Sequence, residues 1–399
     1  MIHVNSYLHR AEFYDLIRRW MYNDLMSSDA GRLTRLVHYN NAFVGRSLHR
    51  FSLWLFGALH RGQLVTQTAR TKSEIKDAIC VHPPYRNRRI GQLIRDYHDH
   101  PEHYYRETPF HGTLFFAADG GGRLYVGCNR LKRVRRLAEK SARRIIDRIF
   151  EAIKLHAEAL ADDRARALGV QRRNLVSEPD HMLAEFLWAE KRMQEDLKHH
   201  RPIPVDEELA INDVAGIKVI LEEPDQQRVL DMLYADSACE VTEVEPHTGT
   251  YNATNIIVRH RPDKAAILNQ PLSESLLALM QSRGIERDRV HEEYTEFVLS
   301  GESQINIEVI LSDYQEMLES EIGRCMHEDR IIEQRLRQEY RGHLSKNVEY
   351  LMEYMFAFAV SRHARLSVLP IRLWNRYLPD YFEEVIKGLY NVPPAHLDV

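Results

Sequence analysis

Four short apolar segments in the second half of this chain, separated by segments of helical periodicity, restrict its fold more than any other feature. The apolar segments read VAGIKVIL, CEVTEVE, ATNIIVRH and INIEVIL. Helical periodicity follows the first and the last of them, in PDQQRVLDMLYAD and DYQEMLESEIGRCMHEDRIIEQRLRQEY. An order of strand, helix, strand, strand, helical insertion, strand and helix is typical of one sheet with helices packed on it. The sequence therefore predicts an α/β (α+β) fold with a mixed sheet flanked by helices.

We assign the domain that contains these strands and helices to residues 175–345. Three further regions of the chain flank it. Residues 1–128 combine a helical start with the β-hairpin pattern GTLFFAADGGGRLYVG and predict an α+β domain. Residues 129–174 contain almost no glycine or proline and predict a basic connecting helix. Residues 346–399 are rich in aromatic residues and methionine and predict a helical extension. Such an extension would pack on another domain or on a second subunit, so a homo-oligomer is one interpretation.

Composition excludes several classes of protein and site. Of the 399 residues, 44% are hydrophobic and 28% charged, and the net charge of -4 gives no overall attraction to nucleic acid or to a membrane. The four cysteines lie far apart without a CxxC pair, which argues against a zinc site and a disulfide framework. The apolar stretch FSLWLFGALH is too short to span a membrane. We therefore expect a cytoplasmic protein.

Two acidic residues accompany the apolar strands. Asp213 directly precedes the strand VAGIKVIL, and alternation within INIEVIL places Glu308 on the face opposite Ile307 and Val309. Taken alone, each acid is more typical of a structural role than of a functional one. Asp often precedes a strand, and a Glu in a strand often faces water. On neighbouring strands, two carboxylates would repel each other unless a divalent ion relieved them. The pair is therefore a candidate metal site.

Three motifs in this region are similar to those of a known enzyme family. The stretches INDVAGIKVI, HTGTYNATNIIV and INIEVILSDYQEMLESEIG resemble, in order and approximate spacing, the synthetase domain of the Rel/Spo alarmone synthetases. The resemblance covers roughly residues 175–340. It implies a nucleotidyltransferase-like fold that transfers pyrophosphate from ATP to the ribose 3′-hydroxyl of a guanine nucleotide, GDP or GTP.

The resemblance also implies roles for individual residues. Asp213 would bind Mg²⁺, and Glu308 would help to bind it or accept the proton of the attacking hydroxyl. Tyr251 would stack on the guanine base, and stacking of this kind contributes about 1–3 kcal/mol per base. The other substrate-binding positions would be Lys218, Asn255 and Arg259.

Departures from the family pattern leave alternatives open. Lys218 stands where the family usually has arginine, and it keeps the charge without the bidentate geometry. The family's basic Arg-x-Lys-Ser motif, which normally precedes the first strand, is not recognisable in RRNLVSEPDHML. One alternative acceptor is the 3′ end of an RNA such as tRNA, bound through the basic helix over residues 130–148. The other alternative is a catalytically inactive domain that binds a nucleotide or a protein.

Overall fold

The helices and strands come from a computed structural model that describes residues 2–60, 63–119, 122–203, 209–249, 251–337 and 340–391. The helices are α1 (Arg10–Met21), α2 (Asp29–Leu59), α3 (Lys72–Val81), α4 (Arg88–Asp99), α5 (Val134–Ala167), α6 (Pro179–Lys198), α7 (Glu223–Ala235), α8 (Lys264–Leu268), α9 (Glu274–Ser282), α10 (Arg287–Ser300), α11 (Tyr314–Ile322), α12 (His327–Leu336), α13 (His343–Val360) and α14 (Pro379–Leu389). The strands are β1 (Ile2–Val4), β2 (Leu64–Thr71), β3 (Pro109–Asp119), β4 (Gly122–Leu131), β5 (Leu209–Ile211), β6 (Ala215–Ile220), β7 (Cys239–His247), β8 (Ala253–His260) and β9 (Ile305–Ser312).

Seven of these strands form one mixed sheet in the order β2-β3-β4-β6-β9-β8-β7. Strands β6 and β9 run parallel, and the other neighbours in the sheet run antiparallel. The predicted order along the chain, from β6 through α7, β7, β8 and a helical insertion to β9 and α11, is confirmed. The predicted hairpin is formed by β3 and β4, although the two central glycines of its turn lie outside the described residues. The fold class is therefore the mixed sheet flanked by helices that the sequence predicts.

The sheet crosses the predicted boundary between residues 128 and 129. Strand β4 pairs with β6, from Gly127 opposite Val219 to Leu131 opposite Ala215. Strands β2 to β4 therefore belong to the same sheet as β6 to β9, while β1 pairs with β5 in a separate two-stranded sheet. The physical reason is that the outer edge of a hairpin has unpaired backbone N–H and C=O groups, which the backbone of β6 satisfies.

Helices cover both faces of the sheet. On one face, Ile217, Val219 and Val309 belong to the largest apolar core, and α2 packs there on β4 and β6. On the other face, Leu114 and Cys128 join a smaller core with α3, α4 and α11. Next to this smaller core, in front of β6, β8 and β9, the sheet faces a cavity bounded by α5 and α12.

Two helices differ from their predicted bounds. Residues 129–131 extend β4, so α5 begins only at Val134, and it ends at Ala167. The single helix predicted after INIEVIL is divided into α11 and α12, because Gly323 has extended backbone angles of φ −123° and ψ −158°. A Cβ at Gly323 would lie 2.7 Å from the main-chain Cα of Glu319, so any other residue there would require the backbone to shift. None of the helices in the described ranges has an apolar stretch that matches the thickness of a bilayer.

The carboxy-terminal extension consists of α13 and α14, with the non-helical residues 361–378 between them. Helix α13 packs on α5 and α2 and buries Leu351, Met355 and Phe358. Much of the apolar surface that the composition of this segment predicts is thus covered within the chain. Residues 392–399 of the predicted extension lie outside the described residues.

Gly127 lies at the seam between the hairpin and β6, and we expect Gly127→Ala to destabilise the sheet. The φ angle of this residue is +149°, and a Cβ built there would lie 2.2 Å from the carbonyl oxygen of Lys218 and 2.8 Å from Cζ of Phe56. Relieving these overlaps would separate β4 from β6. We expect the free energy of unfolding in urea to fall by at least about 2 kcal/mol.

The matched control is Gly57→Ala in α2, where no atom lies within 4 Å of the added Cβ. Alanine in a helix is more stable than glycine by about 0.5–1 kcal/mol, so this variant should gain stability. Equal stabilities of the two variants would contradict the close approach at the seam.

Candidate functional site

The candidate site is a cavity of about 1300 Å³ on the sheet face that α5 and α12 bound. Its described lining is strongly cationic. The lysines and arginines that line it are Lys72, Arg130, Lys132, Arg133, Arg135, Arg136, Lys140, Arg143, Arg144, Lys218, Arg330, Arg335 and Lys346. The acidic residues that line it are Glu139, Asp147, Asp213, Glu308, Glu321, Glu328, Glu349 and Glu353. With thirteen cations against eight acids, the cavity is suited to a ligand with several negative charges.

The register of the parallel strands brings Glu308 into this cavity. Glu308 lies opposite Gly216, the third residue after Asp213. The predicted alternation is confirmed, because Ile307 and Val309 are fully buried in the core while Glu308 lines the cavity. Gly216 leaves room for this arrangement, since a Cβ there would lie 3.4 Å from Oε2 of Glu308. The two predicted acids therefore line the same cavity, Asp213 just before β6 and Glu308 in the middle of β9.

Asp213 is held by two lysines. Lys132 Nζ lies 2.5 Å and Lys140 Nζ 2.7 Å from the same oxygen, Oδ2. Burial raises the pKa of Asp213, but the two ammonium groups outweigh burial and hold the pKa well below its usual range. The other oxygen, Oδ1, is buried and has no hydrogen-bond partner among the described residues. Asp213 is therefore an ionised carboxylate with one oxygen free for a ligand.

Glu308 is held by one arginine. Arg130 Nη2 donates to Oε2 of Glu308 over 3.2 Å, and Glu308 is only 8% exposed. Burial lowers the pKa of Arg130, but Glu308 and Asp213 outweigh burial and raise it. The Nε–H group of Arg130 is buried and has no partner in the described part of the chain. Both acids thus act on one guanidinium that retains an unused donor.

Arg130 and Lys132 are functional residues that the sequence analysis missed. They form an Arg-x-Lys pattern at the end of β4, and β4 lies directly beside β6. The family pattern places its basic motif shortly before the first strand, whereas here the Arg-x-Lys pattern lies far upstream of Asp213 in sequence. Lys132 is 81 residues away from Asp213 along the chain, because α5 and α6 are inserted between them. The available signal was the segment CNRLKR, a strand end that carries Arg-x-Lys and precedes a helix.

Lys218 lines the cavity, but its charge is already paired. Lys218 Nζ donates to Oε1 of the buried Glu321 over 2.9 Å, and Lys72 Nζ donates to Oε2 of Glu321 over 2.8 Å. Lys72 and Lys76 also lie 3.4 and 3.5 Å from the carboxylate of Glu328. Burial lowers the pKa of Lys218, but Glu321 outweighs burial and raises it. Lys218 therefore belongs to a buried ion network at the base of the cavity.

The remaining predicted residues are divided between the cavity and the sheet edge. Tyr251 lines the cavity, and the guanidinium of Arg330 lies 4.7 Å from the centroid of its ring. Asn255 also lines it, with a buried Oδ1 that has no partner among the described residues. Arg259 does not line the cavity, and its guanidinium pairs with Glu240 of β7 over 3.0 Å. The structure thus brings together five of the six predicted residues and places Arg259 outside.

The acids fit a substrate-bound Mg²⁺ better than a metal site made by the protein alone. Within the described ranges, no group of three or more histidine, cysteine, aspartate and glutamate side chains could hold a metal. Mg²⁺ usually takes one or two carboxylates together with waters and substrate phosphates. The free Oδ1 of Asp213 and the nearby carboxylate of Glu308 match that requirement.

Comparisons with known protein families, with curated proteins and with solved structures find no match to this chain. The function of the cavity is therefore inferred from its own residues and from the sequence resemblance.

Binding of an anion in this cavity should depend on the protonation of Lys132. Burial lowers the pKa of Lys132 to about 8, and Arg130 and Lys140 add to the shift while Asp213 opposes it. As the pH rises through 8, Lys132 loses its proton and the cavity loses one positive charge. We expect the affinity for inorganic pyrophosphate, measured by titration calorimetry, to fall between pH 7 and 9.

The control variant is Lys132→Arg, because a guanidinium stays charged over this range. This variant should retain only the weaker pH dependence that comes from pyrophosphate itself. The same loss of affinity in both proteins would contradict the role of Lys132.

Proposed function

We propose that this protein transfers pyrophosphate from ATP to the 3′-hydroxyl of a guanine nucleotide, GDP or GTP, as the Rel/Spo alarmone synthetases do. The observation that carries the proposal is the placement of Asp213 and Glu308. Asp213 lies just before β6 and Glu308 lies on the neighbouring β9, opposite Gly216; both face one cationic cavity and act on the same guanidinium. A cavity of this kind suits a reaction between two polyphosphate substrates.

The cations of β4 and α5 are the candidates for binding the triphosphate of ATP. Lys132 and Lys140 converge on one oxygen of Asp213, and Arg130 has a free Nε–H donor. Phosphoryl-type transfer requires mainly positioning and positive charge around the phosphate oxygens. Lys218 is held by the buried Glu321 at the base of the cavity, whereas Lys140 is 32% exposed and Arg130 keeps an unused donor. Arg130, Lys132 and Lys140 therefore take the role that the family pattern gives to its basic motif.

The proposed step forms one bond and breaks one. The 3′-hydroxyl oxygen attacks the β-phosphorus of ATP, the bond from this phosphorus to the α,β-bridging oxygen breaks, and AMP leaves. Glu308 accepts the hydroxyl proton on Oε1, the oxygen that Arg130 does not hold, and later releases it to solvent. Mg²⁺ held by Asp213 would neutralise charge on the phosphate oxygens. Tyr251 would stack on the guanine after the guanidinium of Arg330 leaves its ring.

A second candidate acceptor is the 3′ end of an RNA such as tRNA. It is favoured by the basic start of α5, where Arg135, Arg143 and Arg144 line the same cavity. The side chain of Arg135 is 74% exposed and lies 3.6 Å from Glu353, an exposed pair that a phosphate of a nucleic-acid backbone would replace. In this case the attacking group is the terminal ribose hydroxyl, and the step at phosphorus is the same.

The test incubates the purified protein with γ-labelled ATP, Mg²⁺ and one acceptor at a time: GDP, GTP or bulk tRNA. We expect label in GDP or GTP, and label in tRNA alone would favour the second candidate. If the label enters none of the three, the protein is not such an enzyme, and the alternative of a binding domain stands.

A further inference from the structure

A group of three arginines lines the cavity that also holds Lys132 and the two acids. Arg133 is the residue before α5, Arg136 lies in the first turn of α5, and Arg335 lies in the last turn of α12. All three line the cavity. The Arg-x-Lys pattern of β4 does not include any of them.

These arginines outnumber the acids that pair with them. Glu139 accepts a hydrogen bond from Arg136 Nη1, and it also accepts from Arg335 Nη2 over 2.8 and 3.0 Å, so two guanidiniums share one carboxylate. Arg133 has no carboxylate partner among the described residues. Glu139 is thus the carboxylate that pairs with this group in the described part of the chain, and Asp213 adds a weaker attraction to Arg136.

Burial and mutual repulsion destabilise the charged form of these guanidinium groups when no anion is bound. Burial lowers the pKa of Arg136 to about 10, and the neighbouring Arg335, Arg133 and Arg130 add to the shift. Burial together with Arg135 and Arg335 also lowers the pKa of Arg133. No side chain caps the first turn of the 34-residue helix α5, whose amino-terminal end adds partial positive charge. An anion with several oxygens would relieve the repulsion and use the free donors.

We propose that Arg133, Arg136 and Arg335 form an oligophosphate subsite that binds the 5′-phosphates of the acceptor nucleotide. The identity of the acceptor rests on the proposed function, whereas binding of an oligophosphate does not. Arg136 and Arg335 share one carboxylate and Arg133 is close enough to act on Arg136, so the group matches a single di- or triphosphate better than the spaced single phosphates of an RNA backbone. Arg133 directly follows Lys132, so the subsite adjoins the proposed site of the ATP phosphates.

The test measures binding by calorimetry, without Mg²⁺ or turnover, of guanosine, GMP, GDP and GTP to the full chain. In the wild type we expect affinity to rise with the number of 5′-phosphates. In Arg133→Gln/Arg136→Gln the affinity for GDP should fall by about 10- to 100-fold, because two charge-assisted contacts are lost. The affinity for ATP should change by less than about threefold, since Arg130, Lys132 and Lys140 remain.

Two controls separate a binding role from a structural one. Arg166→Gln near the far end of α5, where the side chain is 78% exposed, should leave GDP binding unchanged. Arg133→Lys/Arg136→Lys should restore most of the affinity, because the charge is retained.

Three results for the double glutamine variant would overturn the subsite. The first is a GDP affinity equal to that of the wild type, and the second is an equal loss of affinity for GDP and for ATP. The third is a loss of affinity for single-stranded RNA alone, which would assign these arginines to nucleic-acid binding. A protein that shows no transfer but loses GDP binding in this variant would refute the proposed function and leave the subsite standing.

Discussion

Replacing Glu308 by glutamine is expected to reduce pyrophosphate transfer by about two to four orders of magnitude while the protein stays folded. The amide oxygen of glutamine still accepts the hydrogen bond from Arg130, so the shape of the site is retained. The amide does not accept the proton of the attacking hydroxyl, and loss of a general base costs about 10²- to 10⁴-fold in rate. The initial rate of label transfer from γ-labelled ATP measures the effect, and urea unfolding verifies the fold.

The matched control is Glu240→Gln, which removes an exposed carboxylate paired with Arg259 outside the cavity. Its rate should equal that of the wild type. Full activity of Glu308→Gln would remove Glu308 from the proposed step. If the wild type is active and both variants lose activity equally, the loss arises from the sheet rather than from the site.

Replacing Glu321 by glutamine should have the largest effect on stability, a loss of about 3–5 kcal/mol in the free energy of unfolding. Glu321 is 1% exposed and accepts hydrogen bonds from Lys218 and Lys72, and Lys76 donates to its main-chain oxygen. The neutral amide would leave these ammonium groups buried with only Glu328 as a counter-charge, and breaking a buried ion pair costs about this much.

Glu195→Gln is the control for this variant, because Glu195 lies on α6 and its side chain is 46% exposed. Loss of an exposed pair changes stability by less than about 1 kcal/mol. A change of that size in Glu321→Gln as well would show that the network contributes little and that Lys218 is free to bind phosphate.

The buried ion network also explains why the motif INDVAGIKVI has a lysine at position 218. Lys218 stands where the resemblance expects an arginine, and its ammonium group is directed to Glu321. A single compact charge satisfies one carboxylate oxygen, whereas a guanidinium would present a fork of donors. Under the proposed function, Arg130, Lys132 and Lys140 would supply the positive charge for phosphate instead, from β4 and α5.

Local pattern was sufficient to predict the strands and the faces they present. Alternation in INIEVIL assigns Ile307 and Val309 to the core and Glu308 to the other face, and the structure agrees. The same kind of pattern does not specify which strands are neighbours. The pairing of β4 with β6 brings Lys132 to Asp213 across 81 residues of sequence, and it depends on how the inserted helices pack.

Two other parts of the site show the same limit. Glu321 lies in a segment that reads as an ordinary amphipathic helix, and only the packing of α11 on α3 shows that it is buried. Arg259 lies in the strand that carries Asn255, yet Glu240 of the neighbouring β7 binds its guanidinium away from the cavity. Tertiary contacts determine where both side chains lie, and the local sequence does not predict those contacts.

The most direct test of the central claim is to identify the adenine nucleotide that remains when ATP is consumed in the presence of Mg²⁺ and GDP. Attack on the β-phosphorus predicts one AMP for each acceptor labelled, with no accumulation of ADP. Glu308→Gln should form neither AMP nor labelled acceptor above background. Formation of ADP in place of AMP, or of AMP without a pyrophosphorylated acceptor, would contradict the claim that this cavity catalyses pyrophosphate transfer.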